Sequence, residues 1–414
     1  MSLEIIVYFS LSILSVFLGI IYLVYPAKGS LFFLLFGMII PTSNQFMDFT
    51  SYSGVYFYDY FFISVSIYYL LVLAINKQFF GKNMLNLLLI TLFFSCYVFA
   101  AIYSSVHFDK YLLRDFRPIL TLFYAVIFIE IAMKNKLNTN VIINILILGF
   151  SIKILFFLFL LFNISYTDIY YQQNAFRYFD GTTFISALFL IVAIFKFKIL
   201  NSKIPALKIN LTILLALTII LISNLRIILF ALLVIYLIVY KQKLIKKIMV
   251  AIFGLVFFIT YSYFLNIERV LDSFVTNEVV LQLITRFAPA VEKINQMTTL
   301  EYIFGLGMGT YFEIPWFEYR GLDSKLNTID STYLTFFVKY GLLGIVVIIF
   351  FFRLILMNVT NLLIKRSLII FYLILFLTIS TLYQSGAILQ ILFLNIFIIS
   401  LNNESSSRTI PVNS

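Results

Sequence analysis

The sequence predicts an all-α polytopic membrane protein, and composition is the first evidence for this fold class. Hydrophobic residues make up 63% of the chain and charged residues only 11%, with a mean hydropathy of +1.06. Apolar runs of about eighteen or more residues, the length that a helix needs to cross a bilayer, recur from end to end. The runs are continuous, and lipid offers backbone groups no partner outside their own helix, so helices are expected throughout.

We predict thirteen membrane spans from these runs. They cover about residues 3–25, 30–41, 56–75, 84–104, 116–133, 141–163, 182–200, 207–223, 225–240, 246–265, 331–352, 367–382 and 385–401. The predicted organisation is ten helices with short loops over 1–265, one large outer loop over 266–330, three helices over 331–401, and a disordered cytoplasmic tail over 402–414.

Basic residues predict the orientation of the chain. The first of them, Lys28, follows the first predicted span, which places the N-terminus outside. Seventeen of the 29 basic residues then fall on the inner side: Lys28, Lys77, Lys82, Lys134, Lys136, Lys196, Lys198, Lys203, Lys208, Lys241, Lys243, Lys246, Lys247, Arg353, Lys365, Arg366 and Arg408. Because topology accounts for them, the net charge of +11 does not indicate a nucleic-acid partner.

The outer side carries the other twelve basic residues, and seven of the ten arginines are among them. Topology requires positive charge on the inside and gives no reason for arginine outside. The planar guanidinium binds phosphate and carboxylate groups through two parallel hydrogen bonds, which lysine cannot do. The outer face is therefore predicted to bind an anion such as pyrophosphate. The alternative is that some of these cations pair with outer acids such as Asp109, Asp115 and Asp180.

The chain has too few cysteines and histidines for a disulfide framework or for a His/Cys metal site. Cys96 is the only cysteine and lies within an apolar run, so no disulfide framework is predicted. His107 is the only histidine, which argues against a His/Cys metal site. We predict neither a metal nor a cofactor.

The loop over 266–330 is the largest hydrophilic region and holds nine of the eighteen acids. Apolar residues recur at helical spacing from Val270 to Phe287, with polar residues between them. This pattern predicts an amphipathic helix that ends near Pro289 and lies on the outer leaflet or on the helix bundle.

The last part of this loop is rich in glycine. Gly305, Gly307 and Gly309 alternate with Leu306 and Met308, and glycine at such positions suits a turn whose backbone comes close to another group. Asp330 and Ser331 follow at the start of an apolar helix, where an acidic side chain is stabilised and can cap the helix. The simpler alternative is a glycine turn followed by an ordinary cap.

Several outer cations lie at or within the predicted spans. Arg114 and Arg117 are three residues apart, which places them on one face of a helix. Arg177 and Arg226 each precede an apolar run. Lys153 lies in the middle of the span 141–163, where a charge marks a functional site or else an ion pair within the bundle.

The order of these motifs resembles the O-antigen ligase and O-antigen polymerase (Wzy) superfamily of bacterial inner-membrane enzymes. The resemblance covers about residues 105–345 and rests on Arg177 with Gly181, Ser223-Asn-Leu-Arg226, Gly305-Leu-Gly-Met-Gly309, Asp330-Ser-Thr-Tyr333-Leu334 and Gly341-Leu-Leu-Gly344. It implies a C-type glycosyltransferase-like helical bundle and substrates linked to undecaprenyl pyrophosphate. Ligases have a His-Asn-like pair where this chain has Asp330-Ser331, which argues for the polymerases.

The resemblance also implies roles for particular residues. A general base would come from Asp330, with Glu313 and Glu318 as the other candidates. The pyrophosphate would be bound by Arg177, Arg226, Arg114, Arg117 and Lys153, and the substrate loop would include Gly305, Gly307, Gly309, Arg320 and Tyr333. The implied partners are a lipid-linked oligosaccharide donor and acceptor, membrane lipid and a polysaccharide chain-length regulator. The implied location is the bacterial inner membrane, with the active site facing the periplasm.

Two other functions are open at this level. The first is the ligase that transfers the glycan to lipid A core. The second is a transporter, such as a lipid-linked oligosaccharide flippase, which would distribute charge along a central cavity and needs no outer loop as large as 266–330.

Cysteine labelling checks the predicted topology. A Cys placed at Ser324 should react with a membrane-impermeant maleimide added to intact cells, and a Cys at Ser202 should react only after lysis, because lysine-rich loops stay inside. The reverse pattern would place the large loop on the wrong side for any periplasmic chemistry.

Overall fold

The computed structural model describes residues 3–42, 46–52, 55–75, 110–134, 137–163, 180–201, 204–223, 225–239, 276–314, 324–384 and 386–406, with the isolated residues 249, 252 and 254. It is mostly helical, as the composition predicts. The predicted span 84–104, and all but three residues of the span 246–265, lie outside the described residues.

The described residues up to 239 form nine helices and one short hairpin. They are α1 (Leu3–Val24), α2 (Pro26–Ile39), α3 (Met47–Thr50), β1 (Ser51–Tyr52), β2 (Val55–Tyr56), α4 (Asp59–Ile75), α5 (Lys110–Lys134), α6 (Thr139–Asn163), α7 (Gly181–Asn201), α8 (Ala206–Ser223) and α9 (Arg226–Val239). The strands β1 and β2 pair antiparallel, Ser51 opposite Tyr56.

The described residues after 275 add six helices and a second hairpin. They are α10 (Thr276–Asn295), α11 (Thr299–Phe304), β3 (Phe312–Glu313), β4 (Lys325–Leu326), α12 (Thr332–Tyr340), α13 (Leu343–Leu356), α14 (Leu362–Thr378), a 3-10 turn (Thr381–Tyr383) and α15 (Ala387–Ser406). The strands β3 and β4 are antiparallel, with Phe312 opposite Leu326.

Within the described part of the chain, three helices are long and apolar enough to cross a membrane: α1, α6 and α8. Six further apolar helices are shorter by the same measure: α2, α4, α7, α9, α13 and α15. The number of thirteen spans stays a prediction. Three predicted starts are late. The helix α2 begins at Pro26, where proline suits the first turn, α5 begins at Lys110 and includes the polar stretch before residue 116, and α14 begins at Leu362, before the predicted residue 367.

Two helices form the centre of the bundle. Every residue of α7 from Gly181 to Ala193 is buried, and so is every residue of α15 from Ala387 to Leu401. The helices α5 and α7 pack on α15, and α8 and α14 pack on α7. Because α7 and α15 are buried on all sides, their apolar residues show no amphipathic face.

The predicted span 331–352 is wrong as a single helix. The structure divides it into α12 and α13 at Gly341, whose φ of +60° is a left-handed conformation that glycine adopts readily. The break leaves the last carbonyls of α12 without the helix partners that a continuous span would give them.

The glycine turn of residues 305–309 supplies those partners. The Leu306 N–H donates to the Val338 carbonyl at 2.8 Å, and the Gly307 N–H donates to the Lys339 carbonyl at 3.0 Å. Gly305 has φ +78°, and a Cβ there would lie 2.2 Å from the Lys339 carbonyl oxygen. The glycine turn therefore supplies hydrogen-bond donors to the carbonyls that the helix break leaves without partners.

The amphipathic helix continues beyond the predicted end. Proline lacks an N–H and ordinarily ends a helix, yet α10 runs through Pro289 to Asn295. Ala290, next to that proline, is buried in a small cluster with Phe312, Ile329 and Val338, and this packing offsets the lost hydrogen bond. Of the two predicted locations for the amphipathic helix, packing on the protein is observed for Phe287, Ala290 and Ile294. Its first predicted residues, 270–275, lie outside the described residues.

The C-terminal tail also differs from the prediction. The helix α15 extends to Ser406, whereas disorder was predicted from residue 402. Two hydrogen bonds explain part of the extension: the Asn402 side-chain amide donates to the Asn358 carbonyl at 2.8 Å, and Thr360 donates to Asn402 at 3.4 Å. Residues 407–414 lie outside the described residues.

Two glycine substitutions test the contact between turn and break. Gly307→Ala should cost about 1–2 kcal/mol, because its φ of +92° disfavours a side chain while the space around it is open within 4 Å. Gly305→Ala should cost about 1–3 kcal/mol more, because its Cβ would overlap backbone atoms of α12. The measurement is the thermal unfolding temperature of the purified variants in detergent, and equal losses would contradict the close approach.

Candidate functional site

A buried ion pair lies beneath the glycine turn. Lys339 on α12 places its Nζ 2.5 Å and 2.6 Å from the two carboxylate oxygens of Asp115 on α5, and both side chains are fully buried. The Gly309 N–H donates to Asp115 Oδ2 at 2.7 Å, and the Asn327 amide donates to Oδ1 at 3.4 Å. The carboxylate thus receives hydrogen bonds from three separate segments.

This arrangement satisfies the conditions under which a protein interior tolerates charge. Opposite charges meet directly, and further donors use the remaining lone pairs of Asp115. The Lys339 Nζ also lies 5.5 Å from the centre of the Tyr383 ring. The pair joins α5, the end of the glycine turn, the segment after β4, and α12, so it fixes the relative positions of four elements.

Asp330 lies close to this assembly but on its surface. Its side chain is 65% exposed, and one carboxylate oxygen is 3.9 Å from the Arg286 guanidinium of α10. It does not cap α12: the cap is Ser331, whose hydroxyl accepts from the Leu334 N–H at 3.4 Å. The carboxylate of Asp330 is therefore exposed to solvent.

Hydroxyl groups hold the backbone beside Asp330 in place. Ser331 donates to the Phe376 carbonyl at 3.3 Å, and Thr332 donates to the Ile379 carbonyl at 2.7 Å. Both acceptors lie at the end of α14, where carbonyls lack helix partners. Asp330 is thus an exposed acid on a fixed backbone, which is the arrangement that precise positioning requires.

The other predicted acids are less defined. Glu313 is exposed on β3, opposite Lys325 of β4. Glu318 and Arg320 lie outside the described residues. No group of three or more His, Cys, Asp or Glu side chains that could hold a metal occurs among the residues that the structure describes.

The predicted arginines occupy different environments. Arg117 is engaged: its guanidinium lies 3.0 Å from Asp59, 3.2 Å from the Tyr58 hydroxyl and 4.3 Å from the centre of the Tyr56 ring. Arg114 is half-buried, and no described carboxylate lies within ion-pair distance of it. Arg114 shares the first turns of α5 with Asp115 and Arg117.

Arg226 and Tyr333 are two further predicted residues that the structure describes. Arg226 is the first residue of α9 and is half-buried. Tyr333 packs edge-on against Phe376 and donates to the Leu373 carbonyl at 3.4 Å, so it contacts α14. Arg177 lies outside the described residues.

Lys153 forms an ion pair within the bundle, the alternative that its position left open. Its Nζ lies 2.6 Å from Asp180 Oδ2 and 3.3 Å from the Ile39 carbonyl, and both charged side chains are buried. Thr182 donates through its N–H to Asp180 at 2.9 Å and through its hydroxyl to the Met38 carbonyl at 3.0 Å. The cluster closes the end of α2 against the start of α7, and an anionic ligand would have to displace Asp180 to reach Lys153.

Sequence reasoning missed the central importance of Lys339. It counted Lys339 among the outer cations and named Asp115 as an acid with which such cations could pair, but it did not single out either residue. The sequence did contain a sign of this role: Lys339 lies well inside the predicted span 331–352, just as Lys153 lies inside 141–163. A charge at such a position needs a partner within the protein.

Comparison with known proteins gives one match. Residues 121–412 match the model of a family of unknown function, DUF6369. The matched range includes the glycine turn, Lys339 and the Lys153–Asp180 pair, and it begins six residues after Asp115. No curated protein and no solved structure matches the chain.

A double-mutant cycle tests the Asp115–Lys339 pair. Asp115→Asn and Lys339→Met should each destabilise the protein by about 3–5 kcal/mol, because each leaves the other charge buried and unpaired. The double variant should lose clearly less than the sum of the two. Thermal unfolding in detergent measures this, with Asp330→Asn as the matched control: its exposed pair with Arg286 should contribute at most about 1 kcal/mol. Strictly additive losses would contradict direct coupling.

Proposed function

We propose that this chain, which belongs to the DUF6369 family of unknown function, is a surface-polysaccharide polymerase of the O-antigen polymerase type. It would transfer a growing glycan from undecaprenyl pyrophosphate to a sugar hydroxyl of a new lipid-linked repeat unit. In this proposal the chain crosses the inner membrane thirteen times and presents the loop over 266–330 to the periplasm.

One observation carries the proposal: three of the five motifs behind the resemblance, those that begin at Gly305, Asp330 and Gly341, pack together at α12. The glycine turn at 305–309 bonds to the end of α12, and Asp330 and Ser331 begin that same helix. Asp115, between Arg114 and Arg117, bonds to Gly309 and to Lys339, which lies 224 residues away in the chain. Segments that are scattered along the sequence thus surround one face of α12.

The chemistry assigns a role to each part of this unit. The acceptor hydroxyl attacks the anomeric carbon of the donor glycan, a new C–O bond forms, and the bond from that carbon to the pyrophosphate oxygen breaks. Undecaprenyl pyrophosphate leaves with the bonding electrons, and the hydroxyl proton passes to a base. Pyrophosphate is already an activated leaving group, so the reaction requires neither a nucleotide nor a metal.

Asp330 is the proposed base. A hydroxyl is a weak nucleophile and gains from a carboxylate that accepts its proton. The side chain of Asp330 is exposed, and its backbone is fixed by the hydrogen bonds of Ser331 and Thr332. Glu313 and Glu318 are the alternative bases.

Arginine is the proposed ligand of the leaving group. Negative charge grows on the pyrophosphate as the bond breaks, and guanidinium groups aimed at it stabilise the transition state. Arg114 is the best-placed described candidate, because it precedes Asp115 on α5 and has no described carboxylate partner. Arg117, Arg177, Arg226 and Lys153 are further candidates. A chain-length regulator would act as the protein partner.

A transporter of lipid-linked oligosaccharide is the second candidate function. The buried Lys153–Asp180 pair favours it, because paired charges deep in a helix bundle often lie on transport pathways. The two functions predict different glycan products, so the same experiment separates them.

Gene deletion followed by gel analysis of the surface glycan tests the proposal. Loss of a polymerase should leave single repeat units on the surface lipid, whereas loss of a flippase or a ligase should leave none. Plasmid-borne wild-type protein should restore the ladder of long chains. A deletion strain that lacks even single repeats would contradict a polymerase.

Two variants in the same strain test the proposed base. Asp330→Asn should leave single repeats at normal protein level, because asparagine cannot accept the proton and Ser331, not residue 330, caps the helix. Glu292→Gln, at an exposed acid of α10, should restore long chains and serves as the matched control. A full ladder from Asp330→Asn would transfer the role to one of the two glutamates.

A further inference from the structure

We infer that α11 lies in the membrane surface, where its apolar side chains contact lipid together with the exposed face of α13. This surface has no place in the function proposed above. The inference that α11 contacts lipid depends only on α13 crossing the bilayer, so an experiment can test it independently of the glycosyl transfer.

The short helix α11 exposes an unusual amount of apolar surface for part of a hydrophilic loop. The exposed fractions are 69% for Leu300 and 52% for Phe304, and Tyr302 and Ile303 are also exposed. None of the six residues of α11 is buried. Contiguous apolar surface of this kind usually marks an interaction site rather than a contact with water.

This surface continues directly onto α13. The Leu342 N–H donates to the Tyr302 carbonyl at 3.0 Å, and a Cβ at Gly341 would lie 2.5 Å from the Ile303 carbonyl. From that contact an exposed apolar stripe runs along α13 at intervals of three and four residues: Leu342, Ile345, Val346 and Ile349. The exposed faces of α11 and α13 are therefore adjacent, and we expect the same molecule to contact both.

The length of α13 indicates that lipid is the occupant. Its fourteen residues span about 21 Å, whereas the hydrocarbon core of a bilayer is about 30 Å thick. The hydrocarbon layer must therefore extend past the end of α13. On the side of Leu342, the exposed apolar segment that follows is α11, since α12 turns its Thr332, Thr335 and Lys339 into the protein.

Polarity along α11 agrees with a position at the membrane boundary. At its start, Thr298 and Glu301 form a reciprocal cap in which the Glu301 carboxylate accepts from the Thr298 N–H at 2.7 Å, and the preceding Gln296 is exposed. At its end stands Phe304. The exposed Tyr302 lies between them and donates to the Ile294 carbonyl at 3.1 Å, and tyrosine is a residue type enriched at the membrane–water boundary.

Hydrogen bonds to the protein explain why the glycine turn can follow α11 at the level of the membrane surface. Irregular backbone within lipid is tolerated only where protein satisfies its polar groups. The N–H groups of Leu306 and Gly307 bond to α12, and Gly309 bonds to Asp115. Lipid would thus cover the outer side of α11, while the turn behind it bonds to protein.

Tryptophan quenching by brominated lipid tests this inference. Full-length protein in which the single tryptophan is removed by Trp316→Phe would be reconstituted into phosphatidylcholine vesicles with or without brominated acyl chains. Tryptophan would then be introduced singly as Phe304→Trp and Leu300→Trp. Ile349→Trp on α13 is the lipid-facing control, and Gln296→Trp is the control at the polar end.

We expect Phe304→Trp and Leu300→Trp to lose most of their emission in brominated vesicles, as Ile349→Trp does, while Gln296→Trp changes little. Should both α11 variants keep their emission as Gln296→Trp does, the inference is wrong, whether water or a second copy of the chain covers the helix. Both positions are exposed, and if one variant fails to give a monodisperse protein, the other decides the result. Neither outcome bears on the glycan ladder of the deletion strain.

Discussion

The ion pair between Asp115 and Lys339 is the contact on which the rest of the candidate site depends. A lysine nine residues into an apolar segment would be unstable without a partner, and the partner comes from a helix 224 residues earlier in the chain. Once formed, the pair offers Asp115 as an acceptor to Gly309 and Asn327. The positions of the glycine turn and of the segment that leads to Asp330 follow from that one carboxylate.

Backbone hydrogen bonding adds a second constraint of the same kind. A helix that breaks inside a membrane protein leaves carbonyls that lipid cannot satisfy. Here the break at Gly341 frees the carbonyls of Val338 and Lys339, and the glycine turn bonds to both. The loop is therefore held to the bundle by main-chain atoms, and Gly305 is required because a side chain would occupy the same space as the backbone of α12.

The sequence predicted the helical class and most helix positions, because long apolar runs report directly on burial in lipid or protein. It did not predict the break at Gly341, since Gly341-Leu-Leu-Gly344 lies within an otherwise continuous apolar run. Nor did it predict the continuation of α10 through Pro289, because the compensating contact comes from strands and helices distant in sequence.

The feature that was hardest to predict is which cation forms an ion pair with which acid. The sequence indicated that outer cations could pair with outer acids, and it could not assign the pairs, because Lys339–Asp115, Lys153–Asp180 and Arg117–Asp59 connect different helices. The sequence indicated Asp330 as the residue that could cap α12. Only the backbone geometry assigns the cap to Ser331 and leaves Asp330 facing outward.

The spacing of the two buried pairs along the chain has a consequence for biosynthesis. Asp180 follows Lys153 by 27 residues, so this pair can form as soon as α7 leaves the ribosome and joins α6. Lys339 follows Asp115 by 224 residues, so the second pair can form only after that length of chain has been synthesised. Throughout that interval the Asp115 carboxylate lacks its lysine partner. The Lys153–Asp180 pair can therefore form early, while the contacts around Asp115 are completed only after α12 has been translated.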